Sequence, residues 1–385
     1  MNGVFMSNPF SYGGIVKGGD FCNRRKEIEE LVCAGLNSEK FFIHGERRLG
    51  KTSLLRAVTE ELRSKKAMTV MINVWKCVDA QDFADLCASE FAAAEGTTGI
   101  LKRVRSIFEG LSPSVTVGDD GRPSIALARS TQNLTREKLE NVLKASWKIA
   151  DSNRSRKLVV IFDEFQQVRK LGNDSIERVL RSVIQERNDI AWFFCGSRTH
   201  LIREMFLNSG SPLYRSAGHY PLESIRRESW IPFLRGKFEF TGRVVPENLV
   251  DDILQTTSGH PFYTQMLCSA LWDLSEKGET LTKSKTERAL GILLDREHST
   301  YLTLWDSLPE MSRRMLRAVA LEDPLLMPYS GDNLAKYGFK SPASAGRAIE
   351  YLVKHDVILR TAEGGYRVID RFLTMWCREN FLNIR

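Results

Sequence analysis

The nine residues Gly45-Glu46-Arg47-Arg48-Leu49-Gly50-Lys51-Thr52-Ser53 follow the apolar run Phe41-Phe42-Ile43 and precede an amphipathic stretch beginning Leu54-Leu55-Arg56. Strand, loop, helix is the setting in which G-x-x-x-x-G-K-[ST] cradles the phosphates of a nucleoside triphosphate. A loop that gathers so many anionic oxygens must bring its backbone close, which glycine allows. Its N–H groups must point inward, and a helix N-terminus must add positive potential. Gly45 and Gly50 meet the first condition, and the helix expected from Lys51 meets the last. Lys51 then reaches the β- and γ-phosphates as a point charge, and the Thr52 hydroxyl ligates Mg²⁺. Arg48 and Ser53 are counted with the nucleotide-binding residues of the same loop. The expected ligands are a nucleoside triphosphate and Mg²⁺.

A second constraint lies downstream. The apolar run Leu158-Val159-Val160-Ile161-Phe162 closes in Asp163-Glu164, the Walker B arrangement. Asp163 is placed to hold Mg²⁺ and Glu164 to polarise the attacking water. A third buried strand, Ile190 to Cys195, ends in Gly196-Ser197-Arg198. A polar residue at the carboxyl end of a parallel strand projects into the crevice where the ligand sits, so Ser197 is the candidate γ-phosphate sensor and Arg198 the second choice.

The 385 residues exceed one ordinary core, and the texture changes along the chain. A Gly-, Asn- and Ser-rich arm precedes Phe21–Glu27, whose ordinary reading is a helix start with Asn23 as N-cap. Met68–Val74 is a buried strand, and segments 82–95 and 99–109 read as helices. Ser-Val-Thr-Val, Gly-Asp-Asp-Gly and Ile-Ala-Leu-Ala between 114 and 128 read as a hairpin, with covering of a sheet edge its simplest use. Residues 135–150 are helical, and a short strand is expected at 219–222. From Arg226 only helices are expected, at 246–257, 261–277 and 283–308, with Pro261 at a helix start. Beyond Met311 come three more helices, the last capped by Ser341 and opened by Pro342. Val357–Arg360 and Tyr366–Ile369 then flank Glu363-Gly364-Gly365. Three helices and a hairpin make a winged helix. The expected architecture is α/β: a parallel-sheet P-loop core with its arm over 1–225, a helical lid over 226–308 and a winged helix over 309–385.

No apolar run approaches the ~20 residues that span a membrane. Seven cysteines without C-x-x-C spacing read as reduced residues of a cytoplasmic protein, with no metal centre among them. A net charge of +7 permits a polyanionic partner without requiring one.

Six landmarks in order carry a resemblance: Phe21…Arg24…Glu27, Gly45–Thr52 with its Arg-Arg pair, Asp163-Glu164-Phe165-Gln166, Gly196-Ser197, Gly259-His260-Pro261, and Asp370…Trp376. From about Asn8 to the C-terminus the chain resembles the STAND-type P-loop ATPases called archaeal ATPases, within the AAA+-like class. The resemblance implies that the nucleotide is ATP and that Arg24 lies near the adenine or the phosphates, with Asn23 where the family usually has glycine. It implies that His260 and Pro261 pack from the lid onto the nucleotide. It also implies that Arg215 occupies the place of an arginine finger acting on a neighbour's γ-phosphate. Some relatives carry a nuclease-like domain beyond the winged helix, for which this chain leaves no room after Trp376.

Two uses of an ATPase then stand open. In one, the winged helix is a protein-contact and lid module, and ATP shifts the chain between closed and open forms that self-assemble or engage a partner protein. In the other, the chain assembles on duplex DNA through Ser344, Arg347 and Lys354, with Arg360 and Arg367 on the wing. Glu350 on the same face argues against the second. A metabolic kinase fits poorly, because the remaining residues form helices rather than a small-substrate pocket.

Overall fold

The computed structural model describes residues 7–16, 18, 21–94, 107–108, 113–118, 123–127, 134–172, 175–361 and 363–381. They form two compact units. One comprises Arg24–Glu46 and Gly50–Glu223; the other comprises Met1–Asn23, Arg47–Leu49 and Ser224–Arg385.

The first unit is built on a parallel sheet of five strands in the order β2-β5-β6-β1-β7. These are β1 (Lys40–His44), β2 (Met68–Asn73), β5 (Leu158–Asp163), β6 (Ile190–Gly196) and β7 (Gly218–Pro221). Every residue of β5 and β6 is buried, which is why both read as unbroken apolar runs rather than alternating ones. Helices cover both faces. α1 (Arg25–Leu36) and α2 (Lys51–Ser64) pack together on one, where a Cβ on Gly35 would meet Leu62 and Val159. On the other, α3 (Ala80–Ala94), α4 (Arg136–Ser152), α6 (Ser175–Glu186) and α7 (Thr199–Leu207) share a core with Phe42, Phe162, Trp192 and Phe194. A short α5 (Val168–Leu171) leads into α6. The register sets His44 beside Gly196 and Pro221, and Asn73 beside Asp163. The strand ends that bear chemistry therefore share one edge.

The hairpin exists as β3 (Pro113–Val117) and β4 (Pro123–Leu127), antiparallel with Ser114 opposite Ala126. It covers a helix rather than the expected sheet edge. Ile125 N donates to Ser89 Oγ at 2.8 Å and Leu127 N to Asp85 Oδ1 at 3.0 Å, both acceptors on α3. Most of the expected helix at 99–109 and part of the hairpin turn lie outside the described residues.

The second unit is helical. α8 (Arg227–Phe240), α9 (Glu247–Thr257), α10 (Pro261–Asp273) and α11 (Lys283–Ser307) are followed by α12 (Glu310–Glu322), α13 (Gly331–Lys336) and α14 (Pro342–Lys354). Strands β8 (Ile358–Arg360) and β9 (Tyr366–Val368) form the wing, and Leu325 bridges to Tyr366. Ser341 accepts from Ser344 N at 3.3 Å, and Pro342 opens α14, as expected from the sequence. A last helix, α15 (Arg371–Phe381), sets Trp376 among Tyr301, Trp305 and Phe381. One core runs from Trp230 to Cys377 through the helices on both sides of position 309. The arm belongs to this unit: Phe10 lies on Phe238, and Asn8 donates to Ser269 and Asp273. Among the described residues, no helix is long and apolar enough to cross a membrane.

Candidate functional site

Within the sheet-based unit, β1 runs straight into Gly45 and Glu46, and α2 resumes at Lys51 with Gly50 as its N-cap. That helix has no side-chain cap and no acidic residue in its first turn, so its leading N–H groups remain positive in character, which suits phosphate. Lys51 is 6% exposed, and its ammonium donates to the carbonyls of Gly45 at 2.9 Å and Glu46 at 2.5 Å. Burial pushes this ammonium below the usual lysine range, while Glu164, Asp163 and Glu46 pull it the other way. A buried cation satisfied mainly by main-chain carbonyls is primed for stronger anionic acceptors. Ser53 is buried on the same turn.

The first pair of expected Mg²⁺ ligands meets directly. Thr52 Oγ1 donates to Asp163 Oδ2 at 2.8 Å, and Asp163 Oδ1 accepts from Glu164 N at 3.0 Å. Burial raises the Asp163 carboxyl above its ordinary value, with the Thr52 hydrogen bond opposing. A hydroxyl and a carboxylate converging in this way are hard oxygen donors of the type Mg²⁺ takes. Glu164 has a left-handed backbone, φ 53° and ψ 37°. Ser197 Oγ donates to its Oε2 at 2.7 Å, so the residue singled out at the end of β6 lies against the residue singled out beyond β5. Arg198 is the N-cap of α7.

Arg24 is 4% exposed and sits at the head of α1 with φ 76°. Its guanidinium donates to Glu27 Oε1 at 2.7 Å and to Glu223 O at 2.6 Å. Asn23, at φ 50°, adopts the left-handed conformation that a glycine would take, so Arg24 rather than Asn23 caps the helix, and by backbone alone.

Arg215 is exposed, with its guanidinium over Tyr214. Together with Lys40, Asn188 and Gly218 it lines a cavity of about 610 Å³ at the amino edge of the sheet. The phosphate loop lies past the carboxyl edge, one strand length away.

Within the helical unit, the tip of the loop, Arg47–Leu49, is held by three contacts. His260 Nε2 lies 3.0 Å from Arg47 O, the Arg48 guanidinium covers the Phe262 ring at 4.2 Å, and Arg47 pairs with Asp356 at 3.5 Å. His260 is the N-cap of α10 and Pro261 its first residue, as the spacing required.

Two groups escaped the sequence reading. His44 and His219 stack with ring centroids 4.5 Å apart and their Nε2 atoms in contact, beside Phe42 and Phe206. Burial, then His219, Arg203 and Lys51, push His44 down to about 3. Gln166, quoted only as part of a motif, donates from Nε2 to Glu164 Oε2 at 2.6 Å.

Residues 21–267 match the model of the ATPase domain found predominantly in Archaea. The chain belongs to that family. A model described as a probable winged helix domain matches residues 299–379 of this archaeal-type ATPase. Its structure resembles the Walker-type ATPase PABY2304 of Pyrococcus abyssi, with a TM-score of 0.64 and 20% identity over 96% of this chain and 99% of that one. It also resembles the ORC2 protein of Aeropyrum pernix in its ADP form, with a TM-score of 0.52 and 14% identity over 96% of each chain. At these identities the likeness is one of fold. No curated protein gives a significant sequence match.

Proposed function

We propose that this archaeal-type ATPase is a molecular switch of the STAND/AAA+ kind, in which ATP and Mg²⁺ control domain arrangement, self-assembly and engagement of a partner protein through the winged helix. The observation that carries this reading is the divided phosphate loop. Gly45, Glu46, Gly50 and Lys51 belong to the sheet-based unit, whereas Arg47–Leu49 belong to the unit that contains the winged helix. Within that second unit, His260 and Asp356 hold the tip. Phosphates that draw the loop's N–H groups inward act on the same covalent segment. In this reading the functional parts are the sheet-based core that ends at 225, the lid at 226–308 with the N-terminal arm packed on it, and the winged helix at 309–385.

The roles in this reading are as follows. Lys51, the loop N–H groups, Gly45, Gly50, Arg48 and Ser53 bind and orient the phosphates. Thr52 and Asp163 hold Mg²⁺, which when bound neutralises charge on the transferred phosphoryl group. Glu164 accepts the proton of the attacking water, Ser197 orients Glu164, and Arg24, His260 and Pro261 border the nucleotide. Arg215 serves a neighbouring subunit. We place this switch in the cytoplasm, in keeping with its free cysteines.

Duplex DNA is the alternative partner. Arg347 and Lys354 are exposed on α14 and Arg360 on the wing, which favours it, while the equally exposed Glu350 between the first two weakens it. The deciding experiment measures steady-state ATP hydrolysis with and without duplex DNA, alongside sizing of Glu164→Gln with and without ATP. The switch reading expects ATP-dependent assembly and DNA-independent turnover. Salt-sensitive stimulation by DNA would replace it with the alternative, and a chain that stays monomeric with ATP would remove self-assembly from it.

A further inference from the structure

We propose that Gln166 is a positioning residue for the hydrolytic carboxylate, and that position 196 is glycine in order to admit it. This rests on the reading of Glu164 as the residue that accepts the proton of the attacking water.

Gln166 lies in the single 3-10 turn Phe165–Gln167 that follows the Walker B pair, and it is 1% exposed. Its Oε1 has no hydrogen-bond partner among the described residues. A buried amide with an idle acceptor is a poor choice for packing alone, because an aliphatic side chain of that length would leave nothing unsatisfied. What the amide adds is one donor, and that donor is spent on Glu164 Oε2 at 2.6 Å.

The same carboxylate oxygen accepts Ser197 Oγ at 2.7 Å. The two donors arrive from different strand ends, Gln166 from the turn after β5 and Ser197 from the end of β6. Together they pin one oxygen of Glu164 and stop the carboxylate from rotating. The backbone at Glu164 is left-handed, so the chain itself does little to fix the side chain in a familiar rotamer setting. Two anchors on Oε2 leave Oε1 as the oxygen with lone pairs to offer a water. A general base must be held to within a fraction of an ångström to be effective.

Gly196 completes the arrangement. A Cβ at this position would lie 2.5 Å from Gln166 Oε1 and about as close as contact permits to Ile202. Any side chain there would drive the amide off its place, and with it the donor on Glu164. The close approach therefore demands glycine for a reason separate from the phosphate loop.

The test compares Gln166→Leu, which keeps the volume and removes the donor, with the parent chain. The expected result is a kcat lowered at least ten-fold, with KM for ATP within two-fold. Equilibrium binding of a fluorescent ATP analogue should be unchanged, as should the melting temperature. In the Glu164→Gln background, Gln166→Leu should cause no further loss, since the residue acts only through Glu164. Gly196→Ala should lower kcat in the same way and add nothing to Gln166→Leu. A parental or raised kcat in Gln166→Leu overturns the proposal, as does a loss that adds in full to Glu164→Gln. A Glu164→Gln chain that turns over at the parental rate removes the underlying reading, whereas a slow Glu164→Gln with a normal Gln166→Leu overturns this proposal alone.

Discussion

Thr52 Oγ1 donates to Asp163 Oδ2 at 2.8 Å, joining the first turn of α2 to the last residue of β5. The hydroxyl arrives from the phosphate-loop helix and the carboxylate from a strand two places away in the sheet. Asp163 is 2% exposed, so its charge is felt locally rather than screened by water. Asp163→Asn keeps an acceptor for Thr52 and removes the charge. It should cut Mg²⁺-dependent hydrolysis by about 10²-fold or more, in line with loss of an electrostatic stabiliser, and leave Mg²⁺-free nucleotide binding within a few-fold. Hydrolysis at the parental rate would take Asp163 out of the metal site.

Arg215 and Lys51 are separated by the sheet. β1 runs from the amino-edge cavity that Arg215 lines to His44 at the foot of the phosphate loop. Five residues at about 3.3 Å each amount to some 13–17 Å, beyond the reach of an arginine side chain toward the loop of its own chain. An arginine there is useful to hydrolysis only across a subunit boundary. Arg215→Ala should lower turnover by about 10³-fold. Mixing Arg215→Ala with Lys51→Ala should restore part of it, because a contact in which the Lys51→Ala chain offers its Arg215 to the loop of the Arg215→Ala chain is complete. A monomeric chain that is fully active without Arg215 would exclude the finger.

The His44–His219 stack makes stability fall with acid. Burial, the main cause, pushes His44 down to about 3 in the folded chain, against about 6.5 for an unperturbed histidine. Between these values the unfolded chain binds the extra proton, so stability is lost as pH falls from about 6.5 toward 3, by up to about 1.4 kcal/mol per pH unit for this one group. His219 is lowered by burial and by Arg203, and adds in the same direction. Melting curves at pH 7, 6 and 5 should show a smaller acid-induced drop in His44→Phe, whose ring would stack on Phe42 as the imidazole does. Equal drops in the two chains would mean that the pair is not buried neutral.

Much of this was legible because burial on both faces writes a strand as a plain apolar run. Phe41–Ile43, Leu158–Phe162 and Ile190–Cys195 needed no tertiary knowledge, and Lys51, Thr52, Asp163 and Glu164 stand in contiguous motifs. Contacts made by register were not legible. His44 meets His219 only because β1 lies beside β7, and Gln166 threads past Gly196 only because β5 lies beside β6. Local punctuation misled at the first helix: α1 starts from a left-handed arginine rather than from the Asn23 side chain. The use of the hairpin depended on α3, which offers Ser89 and Asp85 to its edge.

Gly259 and Gly236 allow a contrast within the helical unit. Gly259 has φ +63°, and a Cβ there would lie 2.8 Å from the main-chain oxygen of Ile225. Its own carbonyl accepts from Trp230 Nε1 at 3.0 Å, so the Gly259 backbone cannot yield without straining that bond. Gly236 sits inside α8 with nothing within 4 Å of a Cβ. Gly259→Ala carries left-handed strain and a backbone clash, together about 2–3 kcal/mol. Gly236→Ala should instead gain up to about 1 kcal/mol of helix propensity. Thermal melting should therefore move the two variants in opposite directions, Gly259→Ala down by about 5 °C or more and Gly236→Ala slightly up. The first should also weaken nucleotide binding, because Gly259 sets the position of His260, whose ring holds the Arg47 carbonyl at the loop tip. If Gly259→Ala melts low but binds ATP as the parent does, His260 is a structural cap and not a route from the nucleotide to the lid.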